Sequence, residues 1–188
     1  MRKTAVLTIF VALSLQSPVM ANITKEVSFR DSHREGGVAL ELLGTSTKKL
    51  LFMDLFVAGF YLDKDTDRTH ALDDVGKRVE ISYFKPVTAR RFIDFIAKRM
   101  EKNMTADEFR RVQARIDSLS GIFVDLQAGD LFAMTYIPGA GTRFEHNGRV
   151  LGTVPGADFG KGIFATWVGD QPFDRTVKHQ VLGLDPSR

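Results

Sequence analysis

The sequence predicts an α+β domain: a large antiparallel sheet of six or seven strands with four helices. Three observations carry the prediction. Apolar residues repeat with period two in the first part of the chain. Two helical stripes follow in the middle, and a hairpin and further helices come last. That order belongs to α+β rather than to an alternating βαβ chain.

Val27 and Phe29, and then Val38, Leu40 and Leu42, alternate with polar or small residues and read as two strands. The segment 31–37 between them is turn-rich. Residues 50–62 are nearly all apolar and too short to span a bilayer, so they read as one long buried strand. Asp54 is its lone charge, and Gly59 permits a bend or a close approach. Val79, Ile81 and Tyr83 mark one face of a strand at 78–84. Thr88 can cap a helix whose stripe is Phe92, Ile93, Ile96, Met100 and Met104. Thr105 and Glu108 form a capping-box pattern ahead of a second stripe, Phe109, Val112, Ile116 and Leu119. Both stripes are the spacing of core-facing helices.

Residues 131–137 read as a strand, and Pro138-Gly139-Ala140-Gly141 turns the chain. Asn147-Gly148 is the strongest short hairpin signal available. A helix at 159–168 presents Phe159, Ile163, Phe164 and Trp167, and Asp174 caps a last helix reaching Leu182.

The first residues read as an export signal. Arg2 and Lys3 precede an apolar run at 5–15, Gln16, Ser17 and Pro18 break it, and Val19-Met20-Ala21 fits a small-residue cleavage site. Cleavage after Ala21 divides the chain into a signal peptide at 1–21 and a single domain at 22–188, exported to the periplasm or secreted. The mature chain has no transmembrane candidate. A leader removes Arg2 and Lys3 from 26 Lys and Arg, against 23 Asp and Glu, so the two signs nearly balance. That balance makes no strong electrostatic case for nucleic acid or for an acidic membrane. A chain of this length can bury a core without disulfides, and it has no Cys.

Motifs for catalysis or cofactors are missing. His33, His70, His146 and His179 are isolated from one another, so no metal-ligand spacing exists. Gly139-x-Gly141 leads into a hairpin rather than a helix, which makes it a turn and not a phosphate site. No cofactor is expected.

Residues 42–62 read LLGTSTKKLLFMDLFVAGFYL, a Gly-containing loop followed by a long strand ending in Gly59-Phe60-Tyr61. Ile137-Pro138-Gly139-Ala140-Gly141-Thr142 and the stretches 152–159 and 167–172 follow in order. Together these resemble the chalcone-isomerase-like superfamily, in its exported bacterial branch. The resemblance implies a large antiparallel sheet with helices layered on one face and a ligand cleft between them. It implies two functions: plant members cyclise chalcones to flavanones, and non-catalytic relatives bind fatty acids in the same cleft. It places the family's ligand-facing Arg on Ser46, or on Lys48 with a small shift. Lys49 is the adjacent cation. The strand hydroxyl of the enzymes falls on Phe56 and their Tyr on Phe92. A phenyl ring cannot donate a hydrogen bond, and Lys lacks the planar fork of Arg.

The expected function is therefore binding of a fatty acid or another small apolar ligand, without catalysis, by Ser46, Lys48, Lys49, Phe56 and Phe92. Fifteen Phe suit an apolar interior. One alternative is an isomerase or lyase with a rearranged site using Lys48, Lys49 or Tyr83. The other is a structural or interaction module without a ligand.

Overall fold

Seven strands lie side by side in the order in which the chain makes them. The structure, a computed structural model, describes residues 27–184. The predicted signal peptide at 1–21 lies outside the described residues. The strands are β1 (Ser32–Glu35), β2 (Val38–Leu50), β3 (Met53–Asp63), β4 (Lys77–Tyr83), β5 (Leu131–Ile137), β6 (Gly141–His146) and β7 (Arg149–Val154). Every neighbouring pair is antiparallel. Between β4 and β5 the chain makes α1 (Ala89–Asn103) and α2 (Ala106–Ser118); after β7 it makes α3 (Ala157–Val168) and α4 (Arg175–Val181). No helix among the described residues is long and apolar enough to cross a membrane.

The helix starts follow from local chemistry. Thr88 accepts from Arg91 N, and Thr105 and Glu108 cap each other reciprocally. Asp174 accepts from Val177 N at the start of α4. Phe92, Ile96 and Met100 of α1 and Val112 and Ile116 of α2 are buried, as their spacing predicts. Helix α3 is apolar on nearly every side because it is enclosed, with Phe159, Ile163 and Phe164 fully buried. It lies over the sheet beneath α1 and α2, and α4 packs on β2. Gly160 makes this depth possible, since a Cβ there would sit 2.5 Å from the Tyr136 ring.

Three expectations change. Ser32–Glu35, read as a turn, is β1, and Val27 and Phe29 lie outside any strand. The cause is Gly36-Gly37, which adopt φ of 55° and 84° and close a two-residue hairpin pairing Glu35 with Val38. Residues 44–49, read as a loop, continue β2 to Leu50. Finally, the apolar stretch 50–62 is not one strand. Leu50 pairs with Met53, so the chain reverses at Leu51-Phe52 and β3 begins at Met53. Gly59 does mark a close approach, with Leu42 and Phe29 side-chain atoms 3.1 and 3.3 Å from where its Cβ would stand.

Strand β4 is buried on both faces. Val79 and Ile81 point to the helices, while Arg78 and Glu80 enter a polar cluster on the other face. Arg78 donates to Glu80 at 2.7 Å and to Thr135 and Glu145 at 2.5 Å. Tyr61 donates to Glu80 at 3.2 Å, and the His33 ring stands edge-on to Tyr61 with its Nε2 3.2 Å from Glu80. Two carboxylates satisfy one guanidinium here, which is what makes a buried charge tolerable.

Candidate functional site

One cleft is walled mainly by rings. It has a volume of about 380 Å³ and lies where β3 and β4 meet α1 and the end of α3. That volume falls in the range of small-molecule sites. Six aromatic residues line it: Phe56 from β3, Tyr83 from β4, Phe92 and Phe95 from α1, Trp167 from α3, and Phe173 before α4. They form a continuous shell. Phe56 stands 5.9 Å from Tyr83, 6.1 Å from Trp167 and 6.2 Å from Phe173, and Trp167 and Phe173 meet edge-to-face at 4.9 Å. Tyr83 continues to Phe92 at 6.3 Å.

The strand register assembles this wall. Phe56 pairs with Tyr83 on one side and Lys48 on the other. Three strands thus deliver a cation, a phenyl ring and a phenol side by side. Burial alone pushes the Tyr83 phenol above its ordinary value. It therefore stays protonated and offers a hydrogen-bond donor inside an apolar chamber.

Charge enters only at the exposed margin. Lys48, Lys85 and Arg91 line the cleft. Lys48 Nζ is held by Asp174 Oδ2 at 2.5 Å, and this bond holds the Asp174 carboxyl below the usual carboxylate range. Lys85 and Arg91 make no ion pair with a described carboxylate.

Of the five residues singled out in the sequence, Lys48, Phe56 and Phe92 are brought together in the cleft. Ser46 is buried elsewhere, with its hydroxyl 2.6 Å from Gln180 Oε1 on α4. Lys49 faces solvent and pairs with Asp54 at 3.2 Å; the register irregularity beside it leaves Leu55 of β3 without a partner on β2. Sequence reasoning missed Lys85, Arg91, Phe95, Trp167 and Phe173 as lining residues. Arg91 and Phe95 stand one helical turn apart on α1, a spacing that could have linked them. Among the described residues no group of His, Asp or Glu could hold a metal ion.

The family model described as chalcone isomerase-like matches residues 21–183. The chain belongs to the chalcone isomerase-like family. Among solved structures, this chalcone isomerase-like chain is similar to a fatty-acid binding protein of Arabidopsis thaliana. The two share 16% identity, with a TM-score of 0.59 over 81% of this chain and 96% of that one. At that identity the likeness is one of fold, and the seven-stranded sheet with helices on one face is the fold it describes. No curated protein matches the chain.

Proposed function

We propose that this chalcone isomerase-like protein is an exported binding protein that holds a fatty acid, or a similar apolar molecule with an anionic head, without transforming it. The observation that carries the reading is the aromatic chamber of about 380 Å³ with Lys85 and Arg91, which pair with no described carboxylate, at its margin. An alkyl chain would lie against Phe56, Phe92, Trp167 and Phe173. Its carboxylate would stay at the margin, where a cation answers its charge and water still reaches it. The fatty-acid binding protein of Arabidopsis thaliana shares the fold, which supports a ligand in this layer.

Each buried methylene contributes about 0.8 kcal/mol, so affinity rises with chain length until the chamber is full. Calorimetric titration of lipid-stripped protein with saturated fatty acids of increasing length tests this. Arg91→Ala should weaken a fatty carboxylate more than the matching fatty alcohol. Absence of binding at every length refutes the reading.

Tyr83 favours a second reading, an isomerase with a rearranged site, because its hydroxyl is a donor inside the chamber. Phe56 and Phe92 supply no hydroxyl beside it, and general acid–base help is typically 10²–10⁴-fold for each positioned group. Rapid cyclisation of a chalcone by pure protein would favour that second reading.

A further inference from the structure

The β2–β3 hairpin ends in four consecutive apolar residues that are half to fully exposed. Leu50 is 54% exposed, Leu51 83%, Phe52 101% and Met53 49%. The turn is also built from the wrong residues. Leu51 adopts φ 55°, a conformation that L side chains with a γ-branch rarely take. The chain's other two-residue turns use the expected chemistry, Gly36-Gly37 between β1 and β2 and Asn147-Gly148 between β6 and β7. Among the described two-residue turns, here alone both turn propensity and surface polarity are set aside to present large apolar side chains to solvent.

The tip is continuous with the cleft. Lys48 pairs with Phe56, both lining the chamber, and Leu50 pairs with Met53 just beyond them. Two strand residues beyond Lys48 and the turn that follows place the tip roughly 10 Å past Lys48. The cations of the cleft margin, Lys48, Lys85 and Arg91, stand at the base of the tip, with Lys49 beside them. Asp174 and Asp54 answer Lys48 and Lys49, while Lys85 and Arg91 remain unanswered by described carboxylates. The base of an apolar prong therefore carries an excess of positive charge.

We propose that this hairpin docks the protein on an anionic phospholipid bilayer, with the cleft opening toward the membrane. Leu51 and Phe52 enter the boundary between headgroups and acyl chains, and the cations remain at headgroup level. A second copy of the chain fits the prong poorly. A stable interface buries roughly 800 Å² on each partner, more than one convex hairpin tip offers, and two cationic bases would repel. The docking stands on the tip itself; only passage of a ligand between bilayer and cleft rests on the binding function proposed above.

The test replaces Leu51-Phe52 with the Asn-Gly pair that the chain already uses between β6 and β7. L51N/F52G should leave thermal stability equal or higher, because it relieves the strained φ. Wild-type and variant protein with the same N-terminus, established by intact mass, are floated with vesicles of phosphatidylglycerol and phosphatidylcholine. The wild type should bind, less tightly at high salt or on phosphatidylcholine alone, and the variant should lose at least about tenfold in partitioning. Equal partitioning of the two proteins, or none by the wild type, overturns the proposal. So does a wild-type dimer that the substitution converts to monomer. Titration with a soluble short-chain fatty acid should be the same for both proteins. If that titration fails while docking still depends on the tip, the binding function falls and the membrane contact stands.

Discussion

Lys48 Nζ lies 2.5 Å from Asp174 Oδ2, while Oδ1 of the same carboxylate accepts from Val177 N at 3.0 Å. One side chain thereby caps α4 and neutralises the cation that β2 brings to the cleft. A ligand carboxylate must compete with Asp174 for Lys48.

Asp174→Asn keeps a good capping residue and removes the competing charge. It should raise affinity for a fatty carboxylate several-fold and cost about 1 kcal/mol of stability. The Asp174 carboxyl is depressed by Lys48, so its contribution to stability is present above the ordinary carboxylate pKa and is lost as pH falls through the folded value. The variant should lack that part of the acid transition. Titration and acid unfolding of both proteins measure the two effects. Unchanged affinity would mean that Lys48 takes no part in binding.

Trp167 is the single tryptophan of the chain and lines the cleft. Occupation of the chamber should shift its emission, and a fatty acid brominated along its chain should quench it. Phe56→Gln puts an amide against Tyr83, Trp167 and Phe173, and an unpartnered buried amide costs about 1–3 kcal/mol. Affinity should therefore drop at least several-fold. Quenching that persists at full strength in Phe56→Gln would place the ligand elsewhere.

His33 gives the second face of the sheet a pH dependence. Burial is the largest influence on it and lowers its pKa below the ordinary 6.5, although Glu80 pulls in the opposite direction. In the window between the folded value and 6.5 the unfolded chain binds more protons, so stability rises with pH there and is lost as pH falls. His33→Phe should flatten the stability profile of the protein just below pH 6.5, measured by denaturant midpoints. A profile that keeps its slope in the variant would assign the effect to another group.

Export makes a separate prediction. Protein recovered from the periplasm or the medium should have the intact mass of a chain beginning at Asn22. Recovery only from the cytosol with Met1 retained would contradict it.

Local signals were legible where a few neighbouring residues decide the backbone. Thr105 with Glu108 and Asn147 with Gly148 each act within four residues, and both elements form where they were expected. The Leu51-Phe52 turn was not legible, because its residues belong by composition to a buried strand and only the pairing of Leu50 with Met53 reveals the reversal. The cleft was legible in part. Lys48, Phe56 and Phe92 came from family likeness. Lys85, Trp167 and Phe173 come from segments far apart in the chain that tertiary packing brings together. The burial of Arg78 and Glu80 was hidden for the same reason, since their partners lie on β5 and β6 and their cover on β1 and β3.

The agreement between strand order and chain order has a kinetic meaning. Each strand can add to the one made just before it, so apart from β4 and β5, which pair across α1 and α2, the sheet grows by short closures, which are the fast ones. The chamber is different. Its far wall, Trp167 and Phe173, and the Asp174 clamp on Lys48 are synthesised only after all seven strands, and the clamp joins residues 126 positions apart. A nascent chain would therefore hold a finished sheet with its aromatic face still open.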